Sequence, residues 1–263
     1  MKSSLKLRLV CPAATILLIV LNASGASVTT SAISDAFVAT GPTGNLSDNN
    51  FGSAGALAIS AAALPKGEFQ SVIKFDFSAA RNSFDSQFGA GLWTAQSVTL
   101  QLTSSPHSNA IFNDIAAGQF SISLMQNNSW VEGTGTGGTP TTDGISFNSL
   151  QNTYINNATD QALGTFTFPG GSSGVNTYGL GLSSSLIAKL MAGDDLSLRL
   201  YAADNTVSYL FSSRANAAAA PELTITAVPE PADLALWLGG LAMVMVWRWR
   251  RLQPAEASRS NIP

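Results

Sequence analysis

The sequence predicts an all-β protein: a single antiparallel β-sandwich of jelly-roll-like winding with one short helix, framed by an N-terminal signal helix and a C-terminal single-pass transmembrane helix. Three observations carry this expectation. Short segments alternate apolar and polar residues, turn-forming residues separate them, and an apolar run with basic residues at its flank stands at each end of the chain.

The alternation is clearest in three places. "SVIKFDFS" sets Ile73, Phe75 and Phe77 against Lys74 and Asp76. "SVTLQLT" alternates Val98, Leu100 and Leu102, and "QFSISLM" alternates Phe120, Ile122 and Leu124. Period two gives each strand one buried and one wet face. Further strands are expected at 36–39, 57–60, 164–168, 196–201, 207–211 and 223–226, which makes about nine strands in one domain. The helix is expected from Ser184 to Ala192, where Leu186, Ile187, Leu190 and Met191 share a face and Gly193 can end it.

At the N-terminus, Lys2, Lys6 and Arg8 precede an apolar run from Leu9 to Leu21, followed by Ala23, Ser24, Gly25 and Ala26. This is the layout of a secretory signal spanning residues 1–26, with signal peptidase expected to cut after Ala26. Cys11, the single cysteine, falls inside it, so the mature chain is expected to hold no disulfide. At the other end, every residue from Leu234 to Val246 is apolar or Gly. Trp237 lies near one end of that run and Trp247 and Trp249 at the other, interleaved with Arg248, Arg250 and Arg251, a pattern of interfacial aromatics with cytoplasmic arginines.

Val228-Pro229-Glu230-Pro231, the short apolar span and the Arg cluster, together residues 228–251, resemble the PEP-CTERM sorting signal of bacterial exported proteins. The resemblance implies a chain held in the membrane until an exosortase removes the tail and delivers the body to the cell surface or extracellular matrix. Residues 252–263 form a polar tail expected on the cytoplasmic side.

The body between the signals, residues 27–227, is acidic. From Ser27 to Glu230 there are 6 Lys and Arg against 14 Asp and Glu, a formal charge of −8. That balance argues against nucleic-acid binding, which needs a cationic face. Catalytic equipment is also sparse: His107 is the single histidine, set in the turn-like "SSPHSN", and Asp194-Asp195 reads as a turn after the helix. Asp76 and Glu132 are explained by a solvated face or an Arg partner, so no enzyme is expected. "GTGTGG" at 133–138 has dinucleotide-binding spacing, but no helix follows to present its N-terminus to a phosphate, and the segment reads as a flexible loop.

"DAFV" at Asp35, "NFG" at Asn50, "VIKFDFS" at Val72, "SWVEGT" at Ser129, "FSSR" at Phe211 and "PELTI" at Pro221 resemble the DNRLR-type β-sandwich, a carbohydrate-binding-module-like domain of bacterial surface proteins. The chain departs from that pattern in a long Gly- and Thr-rich stretch after Trp130. Two functions stay open: binding of extracellular polysaccharide, and a structural matrix or biofilm coat without glycan specificity. Trp93, Trp130, Tyr154 and Tyr178 are candidates for stacking on sugar rings, or else packing residues. Asp48, Asn49 and Asn50 in "NLSDNN", with Asp35, are candidate calcium ligands that would bridge an acidic glycan to the acidic body; the alternative is an Asx turn.

Overall fold

The computed structural model describes residues 24–106, 115–230 and 239–248. Its elements run β1 (Ala26–Ser31), β2 (Ser34–Ala39), β3 (Ala56–Ser60), β4 (Phe69–Phe75), α1 (Ser78–Phe88), β5 (Trp93–Thr103) and β6 (Gly118–Met125). They continue with α2 (Phe147–Ser149) running into a π-helical turn (Leu150–Tyr154), then β7 (Gln161–Phe168), β8 (Val175–Leu180), α3 (Ser184–Ala192), β9 (Leu196–Ala202), β10 (Ser208–Ser212) and β11 (Glu222–Pro229). The strands build two sheets, a smaller one in the order β1-β11-β5-β8 and a larger one in the order β10-β3-β4-β9-β6-β7, with β2 also paired to β4. The pairings are antiparallel. An all-β sandwich is therefore what this sequence forms.

The expected strands are all present, and the expected helix matches α3 at both ends. Ser183 caps α3 by accepting the Leu186 N–H at 3.2 Å on its hydroxyl, and Gly193 closes it at φ 72°. Leu186 and Leu190 turn inward. Elements that the pattern did not reveal are β1, β8 and α1. Asp76, at the end of β4 as expected, accepts the Ser78 N–H at 2.8 Å at the start of α1, whose buried residues are Ala80 and Phe84.

The sheets bury one core between them. Val98, Leu100, Leu223 and Ile225 of the smaller sheet share it with Phe37, Phe69, Ile73, Phe75 and Leu198 of the larger. Complete burial of a Leu, Ile or Phe side chain contributes about 1.5–3 kcal/mol, so this layer holds the sandwich together.

The larger sheet departs from the expected alternation of one buried and one wet face. Strands β3 and β10 are buried at every position, and β2 and β4 at nearly every one. Over β2 and β4 the reason lies in the chain from Trp130 to Leu150, which folds back across the outer side. There Trp130, Ile145 and Leu150 pack with Ala36 and Val38 of β2, Val72 of β4 and Met125 of β6 in a second apolar cluster. Lys74, on the same outward row as Val72, donates from Nζ to the carbonyls of Asn128 at 2.7 Å and Trp130 at 3.0 Å, with Nζ lying 4.7 Å from the centre of the Trp130 ring.

Candidate functional site

Five of the six short motifs meet at this covered face, while "PELTI" runs into β11 of the smaller sheet. Asp35 is the second residue of β2, and its Oδ2 accepts the backbone N–H of Arg214 at 2.6 Å. The Asp35 N–H points to Glu132 Oε2 at 3.4 Å. Glu132 Oε2 in turn accepts Arg214 Nε at 2.8 Å and Nη2 at 2.7 Å, so the Arg partner expected for Glu132 is Arg214. Asp35 is 1% exposed. Burial pushes its carboxyl up to about 7, against the Arg214 N–H, while the neighbouring Glu132 charge adds to the rise. The trio ties the start of the second strand, the covering segment and the turn after the tenth strand to one another.

Asn50 is the second tie. Its Nδ2 donates to the carbonyls of Glu132 at 2.7 Å and Ile145 at 2.8 Å. Its Oδ1 accepts the N–H groups of Gly52 at 3.2 Å and Gly135 at 2.8 Å. Those four bonds use both donors and both lone pairs of the amide. "GTGTGG" wraps this side chain: a Cβ at Gly133 would lie 2.5 Å from Asn50 Oδ1, and one at Gly137 would lie 2.0 Å from the Phe51 ring. The expectation of a flexible loop is corrected accordingly. These glycines allow close approach to Asn50 and Phe51, which holds the segment in place.

Three of the four stacking candidates are packing residues. Trp93 and Trp130 are each 1% exposed, and Tyr178 is 6% exposed. The Trp93 indole donates to Asp85 Oδ1 at 2.7 Å and its ring lies 4.9 Å from Phe84. That indole bond, ahead of the Gly91 N–H and Arg81, holds the Asp85 carboxyl below the usual carboxylate range. The Trp130 indole donates to Ser197 Oγ at 2.9 Å. Tyr178 meets Phe120 edge-on, with ring centres 5.0 Å apart. None of these three presents a face to a sugar; Tyr154 alone of the four is partly exposed.

The calcium set does not fit a cation. Asn50 has no free oxygen lone pair, Asp35 is committed to Arg214, and Asp48 Oδ1 accepts Asn148 Nδ2 at 2.7 Å. Asn49 donates to Gly137 O at 2.7 Å and bridges to Pro140. Among the described residues no group of three or more His, Cys, Asp or Glu is placed to hold a metal. Asp48 does line an open cleft of about 600 Å³ with Pro140, Thr141, Thr142, Asp143 and Ser146. The Thr134 hydroxyl, donating to Asp143 Oδ2 at 2.5 Å, leads the bonds that keep the Asp143 carboxyl below its ordinary range.

The two ends of the sandwich, where the sequence leads one to expect cleavage, lie side by side. Ala26 begins β1 directly opposite Ala227. Val228 and Pro229 belong to β11, opposite Thr94 and Trp93, and the Glu230 N–H donates to Leu92 O at 3.0 Å. Residues 239–248 are helical and exposed throughout, with Met243 at 75% and Met245 at 68%. No helix among the described residues is long and apolar enough to cross a membrane. Residues 1–23, His107, Pro231, Trp237, Trp249, Arg250, Arg251 and the tail 252–263 lie outside the described residues. No protein-family model matches the chain, and no curated protein matches it.

Proposed function

We propose that this chain is an exported bacterial protein of the cell surface or extracellular matrix, released from a C-terminal membrane anchor by an exosortase, with a body that serves as a structural coat or matrix element. One observation carries the reading. The sandwich closes on itself between Ala26 and Glu230, while the helix at 239–248 exposes Leu241, Met243, Val244, Met245, Val246 and Trp247. Such a cluster of exposed apolar side chains is costly in water and suited to a bilayer. The structural role is supported by the outer face of the smaller sheet. Its hydroxyls pair with one another, Ser27 Oγ with Thr226 Oγ1 at 2.9 Å and Thr29 Oγ1 with Thr224 Oγ1 at 2.8 Å. Cell fractionation tests the anchor: the chain is expected in the membrane fraction without an exosortase and outside it when one is present. Membrane retention that survives deletion of residues 231–251 would overturn the reading.

A second reading, weak polysaccharide binding, is favoured by the cleft at Asp48, Thr141, Thr142 and Asp143, which offers hydroxyls and carboxylates to sugar hydroxyls without an aromatic platform. Calorimetry of the exported protein against neutral and acidic glycans, each with calcium and with chelator, separates the two. Absence of heat in every arm supports the coat; heat lost on Asp143→Ala supports the cleft.

A further inference from the structure

We infer that the folded sandwich itself limits where the tail can be removed, shielding the peptide bonds of β11 up to Glu230 so that a cut separating the tail from the body falls after it. The shield is a property of the fold. Only the identity of the cutting enzyme rests on the sorting reading above.

A processing enzyme takes its substrate as an extended segment, several residues of which must leave their own partners to lie in its cleft. Strand β11 cannot supply such a segment, because it lies inside its sheet with β1 on one side and β5 on the other. Thr226 faces Ser27 on β1 and Ser97 on β5, and Ala227 faces Ala95 on β5. Past the end of β1 the pairing with β5 continues through Val228 and Pro229, and the Glu230 N–H extends it to Leu92 O. That end of the sheet is anchored by the buried Trp93, held by Asp85 and packed on Phe84. Cutting within 222–230 therefore requires the sheet to open first, and proteolysis of native proteins runs at the population of such openings. In the reaction a nucleophile, water in the simplest case, adds to the scissile carbonyl. The C–N bond breaks, the new carboxyl stays on the body and the amine leaves with the tail.

The same pairing sets the order of events at the other terminus. Ala26 belongs to β1, so cleavage after it has to precede the pairing of β1 with β11.

The test uses the full chain extracted from membranes in detergent, digested briefly with a broad-specificity protease, with the C-terminus of the surviving body read by intact mass. A body ending at Glu230 or later is expected. A body ending at Pro229 or earlier overturns the inference. Inserting Gly-Ser-Gly-Ser between Ala227 and Val228 separates shielding by the sheet from the intrinsic resistance of Pro-Glu-Pro. The end is expected to move into the insert, and an end that stays at Glu230 overturns the sheet as the cause. In cells with an exosortase, a mature C-terminus at or beyond Glu230 agrees with the shield and one inside β11 refutes it. A mature protein that keeps Trp247 removes the sorting reading, while the protease experiment still decides the boundary.

Discussion

Replacing Asp35 with Asn removes a carboxyl that the fold holds protonated near neutrality. Its folded value is about 7 against an ordinary 3.8, with burial as the leading cause. Because the folded value is the higher one, the native state keeps a proton that the unfolded chain has already released. The stability this supplies is complete below pH 3.8 and drains away as pH rises through 7, after which it is constant. At about 1.4 kcal/mol per pH unit, a gap of about three units makes the loss on the order of 4 kcal/mol. Asp85, Asp143 and Asp204 are shifted the opposite way, so their contributions fall off at lower pH and do not overlap this window. An Asn side chain keeps an acceptor for the Arg214 N–H and places no second negative charge beside Glu132. Urea unfolding of the exported protein from pH 4 to 8 is the assay: the wild-type midpoint should fall across that range, and the variant should lack this component. Parallel profiles for the two proteins, or a variant less stable than wild type at pH 8, would refute the reasoning.

Asn50→Ala strands two carbonyls and two N–H groups under the covering segment and is expected to cost about 2–4 kcal/mol, read as a lower urea midpoint with faster amide exchange across 133–145. Asn50→Asp should not rescue it, because the single nitrogen that donates to both carbonyls becomes an oxygen facing those of Glu132 and Ile145. Trp130→Ala empties the centre of the outer cluster and removes the ring under Lys74, at an expected cost of about 3–5 kcal/mol in the same measurement. Any glycan heat should be unaffected once the variant is folded, since the ring is buried.

How much of this was legible depended on whether the signal was local. Strands such as 98–102 and 120–124 announce themselves through alternation, and α3 through its apolar face and terminal Gly193. Strand β1 escaped because "ASVTTS" carries one large apolar residue, Val28, and β8 because Gly179 interrupts "VNTYGL". Helix α1 escaped because "SAARNSFDSQF" buries only Ala80 and Phe84; with α1 unseen, nothing indicated that Trp93 was covered. At the site, Asp35, Asn50, Glu132 and Arg214 were each visible in a short motif. That they meet was not, because Asp35 and Arg214 stand 179 residues apart and only the sheet topology brings them together. The Trp-rich candidates failed for a related reason: residue type gives the capacity to stack, while exposure is decided by a segment that the pattern left as a loop.

The pairing of the first strand with the last also fixes a timetable. Ser27 and Thr226 are 199 residues apart, so at ribosomal rates of about 5–20 residues per second the first strand waits roughly 10–40 s for its partner. Throughout that interval it is an unpaired edge, the kind of surface on which nascent chains aggregate. A run of Ala, Ser, Val, Thr, Thr and Ser tolerates the wait, because hydroxyls keep an orphan edge hydrated where a Val- or Ile-rich strand would seek another chain. The weak apolar character that hid β1 from the pattern is thus what a chain needs when its first strand is the last to be satisfied.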